Sequence, residues 1–417
     1  MDAVKKLAIN GGTKAAPSLP GRFHFGKEEK AAVDAVFDKA IESGNAPGYN
    51  GEQEEAFCKE FAEFLGGGYV DGVNSGTTAV HVALKALDLP AFSEVVFGCV
   101  TDAGGVMPIV ENNCIPVPAD TTEDSFNAGV EQIEARITER TSAIIVAHVA
   151  GEPADIPGIL KMAAKYNLPV IEDCAQAHMA KINGQNVGTM GTLGAYSLMF
   201  GKHMCTGGQG GAVFTKDEDM YWKVRRAADR GKPFGLKDVW AQDNMRYSLN
   251  FNMDEIHAAI GREQIKKLPW LVNKRLEAVD YLRKNGLNEL KGISFPTDNI
   301  PEGFESCCWW YRFRVEADRI TCTVPEYIDA LLAEGVHGAK TYRYMLPMLK
   351  SWYKDHANMF PWNNPCYKGD PNAVYDCPNA LRNMDRDFPL YVTEGYQREH
   401  LDMVIEAFKK VDAAYAK

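Results

Sequence analysis

Short apolar runs alternate with helical patterns between residues 69 and 173, and this alternation restricts the possible folds more than any other feature of the sequence. Each run has the length and apolar content of a buried strand, and stretches with apolar residues at helical spacing separate most of the runs. Strands that alternate with helices are typical of βαβ units, whose mainly parallel sheet lies between helices on both faces. The sequence therefore predicts an α/β fold. The predicted strands are 69–73, 94–99, 115–120, 142–149 and 168–173, and the predicted helices between them are 77–88, 128–138 and 155–166.

The pattern of the sequence changes along the chain and divides it into three parts. The first residues contain glycine and proline and show little periodicity, which indicates an arm. The α/β pattern continues to about residue 285, with further predicted strands at 195–200 and 211–215 and a helix from about Asp254 to Leu268. Mixed strand-like, helix-like and Pro/Asn/Gly-rich stretches follow, which predict a smaller α+β domain. We therefore predict an arm at 1–26, a large domain at 27–285 and a small C-terminal domain at 286–417.

Charge and cysteine content weigh against several classes of protein. The 417 residues carry a formal net charge of −11, so the average surface repels nucleic acids and anionic membranes. Ten cysteines without a CxxC pair favour neither a metal site nor a disulfide framework. The N-terminus lacks the apolar run of a signal peptide, and no stretch approaches the roughly 18 apolar residues that span a bilayer. These features predict a cytoplasmic protein with reduced thiols and without metal, nucleic-acid or membrane partners.

A possible phosphate-binding turn lies in the segment NSGTTAVHVAL (74–84), which follows a predicted strand and opens a predicted helix. Gly76 and Thr77 would present backbone N–H groups and a hydroxyl at the N-terminus of the helix, where anions bind readily. Taken alone, the same residues are more typical of an ordinary turn with a helix cap.

A carboxylate pair ends the next informative strand, in the segment IEDCAQAH (171–178). Glu172 and Asp173 are predicted at the carboxyl end of the strand, where ligands of such sheets gather. A buried aspartate needs a cationic or hydrogen-bonding partner, and a protonated pyridine nitrogen is one such partner. The alternative is an aspartate that caps the following helix.

A single lysine, Lys202, lies between two predicted strands, beside a turn rich in glycine (207–211). A lysine amine in a partly enclosed site has a lowered pKa and becomes a nucleophile for an aldehyde. An isolated lysine in a loop is otherwise interpreted as a surface charge. The functional interpretation therefore depends on the order of the three segments: phosphate turn, acid at a strand end, and lysine before a glycine pair.

A chain with these three segments in this order resembles the DegT/DnrJ/EryC1/StrS family of sugar aminotransferases. Members of that family depend on pyridoxal phosphate (PLP) and belong to the fold-type I aminotransferases. The resemblance covers nearly the whole chain. It implies that the predicted large domain binds PLP. The segments that carry it are LAINGG (7–12), SGTTA (75–79), HVAGEPAD (148–155), EDCAQAH (172–178), the segment around Lys202, and NFNMDEIHAAIGREQIKKL (250–268).

The resemblance also implies a role for each matching residue. Lys202 would hold PLP as the internal aldimine and then move protons between substrate and cofactor, which passes through the pyridoxamine form (PMP). Asp173 would pair with the pyridine nitrogen. Asn250 would reach the phosphate from a second subunit, which implies a homodimer with shared active sites. The other implied cofactor contacts are Gln176 beside the ring and Gly76, Thr77 and Ser197 at the phosphate.

The chain departs from the family pattern at two positions. Asp102 stands where members of the family carry an aromatic residue that stacks on the pyridine ring, and a carboxylate cannot stack. Either another side chain covers the ring or Asp102 contacts a hydroxylated substrate; Phe97 and Phe200 are possible substitutes but are more typical of core residues. Asn252 stands where the family usually has an arginine, which would alter the substrate end of the site.

Candidate substrate contacts are Asp102, His203, Tyr342 and Arg343, the last two because relatives place substrate-binding residues there. Some relatives carry histidine in place of the aldimine lysine and act as sugar dehydratases. Because Lys202 is present and His203 is only its neighbour, transamination is favoured. The remaining candidates are interpreted as structural: His148, His178 and the aromatic run 309–311.

The sequence thus predicts an aminotransferase that moves an amino group from glutamate or glutamine to a keto sugar or keto cyclitol, with or without a linked nucleotide. Two alternatives remain open. One is a PLP- or PMP-dependent dehydratase or lyase, and the other is a non-catalytic PLP-binding regulatory protein.

Overall fold

A sheet of seven strands forms the frame of the protein in the computed structural model, which describes residues 2–237, 239–338 and 346–417. The strands of the chain are β1 (Tyr69–Val73), β2 (Glu94–Gly98), β3 (Ile115–Ala119), β4 (Thr141–Ala147), β5 (Val170–Asp173), β6 (Lys181–Ile182), β7 (Gln185–Asn186), β8 (Leu193–Ser197), β9 (Gly211–Thr215), β10 (Ile293–Ser294), β11 (Phe304–Glu305), β12 (Tyr311–Val315) and β13 (Asp387–Leu390). The large sheet has the order β1-β9-β8-β5-β4-β2-β3. Only β9 runs antiparallel to its neighbours. The predicted α/β fold with a mainly parallel sheet is confirmed.

Helices cover both faces of this sheet. The helices of the described residues, including those of the C-terminal part, are α1 (Asp2–Lys5), α2 (Lys27–Ser43), α3 (Glu52–Leu65), α4 (Gly76–Ala86), α5 (Ala103–Glu111), α6 (Val130–Glu134), α7 (Ile156–Lys165), α8 (Glu218–Ala228), α9 (Glu255–Asn285), α10 (Val324–Ala333), α11 (Ser351–Lys354), α12 (Pro378–Arg386) and α13 (Arg398–Tyr415). Consecutive strand residues point to opposite faces. Val96 therefore packs in a core with α3, α7 and α9, whereas Val95 packs in a second core with α4, α5 and α8. None of the helices in the described ranges combines the length and the apolar character needed to cross a lipid bilayer.

In helices α5 and α9, glycine or proline explains a difference from the sequence prediction. Helix α5 was not predicted, because Gly104, Gly105 and Pro108 have poor helix propensity. Helix α9 continues for 31 residues, well beyond the predicted end near Leu268, although Pro269 lies inside it. Burial of Leu271, Val272 and further residues on the same face offsets the hydrogen bond that proline removes.

The edge of the large sheet at β3 is protected by its own prolines and by a later segment of the chain. Pro116 and Pro118 lie in β3, and proline within sheets is typical of edge strands. Tyr353, Trp362 and Tyr367, all from the C-terminal third of the chain, form an apolar cluster with Ile115 of β3. The covered edge cannot pair with another chain.

A separate apolar core lies in the C-terminal part, around the three-stranded sheet β10-β12-β13. Helix α9 connects the cores: Ala258 and Leu268 belong to the core of the large sheet, whereas Ala278 and Leu282 pack with α13 in the C-terminal core. The predicted division into arm, large domain and small domain stays a prediction.

A buried arginine, Arg312 of β12, joins the C-terminal part to the large sheet. Its side chain binds Glu152 at 2.8 Å and Asp387 at 3.0 Å, and it donates to the main-chain oxygen of Asp124 at 2.8 Å. All three side chains of these ion pairs are nearly inaccessible to solvent. Asp387 also binds Arg314 and therefore keeps a cation when Arg312 is removed. Among these contacts, Glu152 alone depends on Arg312 for its charge partner.

We therefore predict that Arg312→Met lowers the free energy of unfolding by about 3–5 kcal/mol, because it leaves the Glu152 carboxylate buried without a cation. Urea titrations monitored by fluorescence would measure this loss. Arg382→Met is the matched control, since it removes an exposed ion pair with Glu123 and an exposed hydrogen bond to Asn379. Equal stability of the two variants would contradict the prediction.

Candidate active site

The candidate site lies at the carboxyl edge of the large sheet, where β5 and β8 end. Asp173 is the last residue of β5, and Ser197 is the last residue of β8. Lys202 follows β8 in the connection to β9. The structure brings these three predicted residues to one edge, as the parallel order of the strands requires.

Lys202 is almost completely buried, with 8% of its surface exposed. Burial lowers the pKa of its amine, while the nearby carboxylates of Asp173 and Asp102 oppose that shift. The Lys202 Nζ atom lies 4.5 Å from the ring centre of Trp309, which covers the amine. A desolvated amine of this kind is partly neutral at lower pH than an ordinary lysine and can therefore act as a nucleophile.

Asp173 is buried at the same edge. Burial raises the pKa of its carboxyl group, and the backbone N–H of Ala175, which donates to Oδ1 at 3.0 Å, together with the charge of Lys202 counteracts the rise. Space beside the carboxylate is kept by Gly105, because a Cβ atom there would lie 3.1 Å from Oδ2 of Asp173 and 2.2 Å from Oγ1 of Thr101. A carboxylate with these surroundings is suited to a cationic partner.

The adjacent Glu172 has a different, structural environment. Its carboxylate accepts hydrogen bonds from the backbone N–H groups of Gly188, Met190 and Gly191 at 2.6–2.9 Å. Burial opposes its charge, but the hydrogen bond from His148 and these N–H groups hold its pKa below the usual value. Because Nδ1 of His148 accepts from the N–H of Ala154, Nε2 carries the proton that is donated to Glu172 at 3.2 Å.

The predicted phosphate turn lies at the N-terminus of α4. Ser75 caps the helix and accepts from the N–H of Thr78 at 3.1 Å. Gly76 is packed so closely against the end of β8 that a Cβ atom on it would lie 2.4 Å from Cβ of Ser197. Thr77 is exposed at the first turn, where backbone N–H groups have no acceptor within the helix. Gly76, Thr77 and Ser197 therefore form one surface with hydroxyls and N–H groups.

Trp309, interpreted as structural, packs against Tyr391 of the C-terminal part and in addition covers the lysine. Cys308 has a positive φ of 50°, and the backbone N–H of Trp309 donates to the oxygen of Ala150 at 3.0 Å. This turn directs the indole towards the large sheet, where its N–H donates to the oxygen of Gly201 at 3.4 Å. No sequence pattern showed this contact, because it depends on the position of β12.

The two phenylalanines considered as ring-stacking residues are placed differently. Phe97 is buried in the sheet core with Val95, as expected of a core residue. Phe200, interpreted as more typical of core, is instead 65% exposed. Asp102 is exposed and caps α5, accepting from the N–H of Gly104 at 3.2 Å.

The remaining predicted residues have varied surroundings. Gln176 is buried and accepts from the N–H of Ala150 at 2.8 Å. His203 is fully buried, with Nε2 3.0 Å from the oxygen of Cys307, which favours a structural role over substrate contact. Asn250 lies exposed on the surface of the single chain, and Oδ1 accepts from Nδ2 of Asn252 at 2.7 Å. Tyr342 and Arg343 lie outside the described residues.

The main chain around Lys202 is anchored by a residue that the sequence analysis missed. Arg22, in the predicted arm, donates to the carbonyl oxygen of Lys202 at 2.6 Å and to that of His203 at 2.7 Å. Its side chain also binds Glu394 at 2.6 Å. A lone arginine in a glycine- and proline-containing stretch carries no signal of such a contact.

These groups fit the three polar parts of PLP. Lys202 would provide the amine for its aldehyde, Asp173 a carboxylate for its ring nitrogen, and the surface around Gly76 a place for its phosphate. A larger residue at Gly76 would clash with Ser197, and a larger residue at Gly105 would fill the space beside Asp173.

Fold and site together define an aminotransferase of the PLP-dependent type. The chain belongs to the DegT/DnrJ/EryC1/StrS aminotransferase family, whose sequence profile matches residues 26–409. The predictions of the family and of an aminotransferase are confirmed.

Named relatives and solved structures of this family cover most of the chain. A putative L-glutamine:3-amino-2,3-dideoxy-scyllo-inosose aminotransferase of Micromonospora echinospora is 31% identical over 80% of this chain and 78% of its own length. A UDP-N-acetyl-3-dehydro-alpha-D-glucosamine 3-aminotransferase of Acidithiobacillus ferrooxidans is 32% identical over 70% of this chain and 75% of its own length. The crystal structure of an aminotransferase from Psychrobacter cryohalolentis superposes with a TM-score of 0.83 at 26% identity and covers 95% of this chain and 99% of that one.

The buried His178 generates a prediction about acid stability. Burial lowers its pKa from 6.5 to about 3, so between these values the unfolded chain binds a proton that the folded chain does not. The free energy of unfolding therefore falls as the pH drops below about 6.5, by up to about 1.4 kcal/mol per pH unit from this residue. His178→Asn should flatten this dependence in urea titrations between about pH 7 and pH 5.

His337→Asn is the matched control at an exposed histidine. An unaltered slope in the His178 variant would contradict the prediction.

Proposed function

We propose that this enzyme transfers an amino group from glutamate or glutamine to the ketone of a sugar or cyclitol, with Lys202 as the amine that binds the aldehyde of PLP. The observation that carries the proposal is the buried Lys202 amine beside the buried Asp173 carboxylate at the edge of the sheet. Such a pair is costly to bury unless it serves a ligand or a hydrogen-bonded network.

When bound, PLP supplies an aldehyde that exchanges amino groups and a pyridine ring that withdraws electrons from the adjacent carbon. Lys202 would hold PLP through its aldehyde. When it is not bonded to the cofactor, the Lys202 amine would move a proton as base and then as acid, for which a lowered pKa is suited. The Trp309 ring limits the access of water to this amine.

Asp173 and the α4 turn hold the cofactor in our proposal. The Asp173 carboxylate keeps a positive charge on the ring nitrogen and thereby preserves the ring as an electron acceptor. Gly76, Thr77 and Ser197 bind the phosphate with N–H and hydroxyl groups, and the positive end of the α4 dipole favours its charge. Gln176 would lie beside the ring.

The relatives support a hydroxylated ketone as acceptor. Their names specify an amino-dideoxy-inosose in one case and a UDP-linked dehydroglucosamine in another. The first of these names specifies L-glutamine as donor, as does that of a 2-deoxy-scyllo-inosose aminotransferase from the same organism. Acceptors with several hydroxyls and either donor therefore belong in the first assays.

We further propose that the working enzyme is a homodimer in which Asn250 reaches the phosphate of the partner site. Asn250 is exposed on the single chain, next to Leu249, which is 67% exposed. Tyr247 is 81% exposed on the same segment. Large apolar side chains exposed together are typical of surfaces that another subunit covers.

Lys202→Ala tests the covalent role of the lysine. The wild-type protein with PLP should show a visible absorption band that bleaches with glutamate or glutamine and returns with a suitable ketone. The variant should lack the lysine-dependent band and lose transamination by about 10²- to 10⁴-fold or more, because it has neither the covalent amine nor the proton carrier. Lys216→Ala, at an exposed position after β9, is the matched control.

A variant that keeps the band would end the assignment of Lys202. A coupled 2-oxoglutarate assay with glutamate as donor distinguishes transamination from dehydration, since a dehydratase forms no amine from the ketone.

Asp173→Asn tests the partner of the ring nitrogen. The neutral amide cannot stabilise a cation, so the pKa of the ring nitrogen should fall by about 1–3 units. Transamination should be slower at neutral pH and should recover partly as the pH is lowered, because the nitrogen then regains its proton. Rates measured across a pH series would show this shift, which should be absent in Asp217→Asn at the exposed cap of α8. A rate and pH profile equal to wild type would contradict the role of Asp173.

A further inference from the structure

We propose that Arg22, Glu394 and Arg275 form a clamp that positions Lys202 against Trp309. The three residues come from separate parts of the chain: Arg22 from the predicted arm, Arg275 from α9, and Glu394 from the segment between β13 and α13. The inference rests on the proposed function, because it assigns the clamp to the amine that holds the cofactor.

Glu394 is the centre of the clamp. Its side chain is completely buried, and its Oε1 atom lies 2.6 Å from Nη2 of Arg22 and 3.1 Å from Nη2 of Arg275. Nε of Arg22 lies 3.2 Å from each carboxylate oxygen. Burial raises the pKa of this carboxyl group, but the two guanidinium groups outweigh burial and hold the pKa below its usual value. Both arginines are thereby fixed in one orientation.

Both arginines also donate N–H groups to main-chain oxygens, Arg22 in the lysine turn and Arg275 at the tryptophan. Arg22 donates through Nη1 to the oxygen of Lys202 and through Nη2 to that of His203. Arg275 donates through Nη1 to the oxygen of Trp309 at 2.8 Å. One carboxylate therefore determines the positions of the lysine turn and of the tryptophan that covers it.

This geometry suits a positioning role more closely than a purely stabilising one. The Lys202 turn lies in the connection between β8 and β9, outside the hydrogen-bonded sheet, so its carbonyl groups need donors. The planar guanidinium of Arg22 can bind a carboxylate and two carbonyls at the same time, which a lysine ammonium cannot do with one point charge. Small displacements of a reacting group reduce catalysis strongly.

The test uses the full-length protein with PLP and compares Arg22→Met, Arg22→Lys and a control. Arg22→Met removes the bonds to both carbonyls and to Glu394; we expect kcat to fall about 10- to 100-fold while KM for the amino donor changes little. The circular dichroism of the lysine-dependent visible band should weaken, because the amine and its surroundings are no longer held in one arrangement. Arg22→Lys keeps the positive charge but lacks the planar guanidinium with its several N–H donors, so its kcat should recover only partly.

Arg262→Met is the matched control. Arg262 also binds two partners, Glu60 and Gln53, and lies on α9. It should match wild type in kcat and in the circular dichroism band even if its thermal midpoint falls.

The outcomes separate the clamp from the proposed function. A wild-type protein without a lysine-dependent band would overturn the proposed function itself. A wild-type protein with the band, together with an Arg22→Met variant whose kcat and circular dichroism are unchanged, would overturn the clamp alone. Full activity in Arg22→Lys would also overturn the clamp, since a positive charge without the planar guanidinium would then suffice. If Arg22→Met fails to fold, Arg22→Lys decides between these outcomes by its kcat and spectrum.

Discussion

The burial of the Lys202 amine beside the Asp173 carboxylate is the interaction on which the site depends. Burial disfavours the charge of both groups, lowering the pKa of the amine and raising that of the acid, and each partly compensates the other. Strand β5 brings the acid to the edge of the sheet, and the connection after β8 brings the amine. The helix N-terminus at Gly76 adds a positive end for a phosphate, so one edge of the sheet collects three complementary groups.

The C-terminal part of the chain completes this edge. Trp309 covers the amine, and Glu394 orients the two arginines that hold the lysine turn and the tryptophan. Arg312 connects the same part to Glu152 beside the large sheet. Because these ionic contacts are buried, they specify one arrangement of the elements more than they stabilise it. The sheet therefore supplies the reactive groups, and the C-terminal part supplies their orientation.

Much of the fold and of the candidate site could be predicted from sequence because the signals are local. The strands around Val96 and Ile171 are continuous apolar runs, Asp173 ends a strand, and Lys202 lies in the connection between two strands. The errors in the prediction of helices α5 and α9 also have local causes. Gly104, Gly105 and Pro108 conceal helix α5, and Pro269 conceals the continuation of α9, since tertiary burial overrides helix propensity there.

The sequence by itself determined the family, the α/β class and the order of phosphate turn, acid and lysine, because these depend on periodicity and on motifs within short segments. Only the tertiary structure decided that Trp309 covers Lys202 and that Phe200 is exposed. It also decided that Arg22 and Glu394, 372 residues apart, share one buried ion pair. Such contacts join segments whose sequences carry no mutual pattern, and the packing of the C-terminal part against the sheet edge alone brings them within bonding distance.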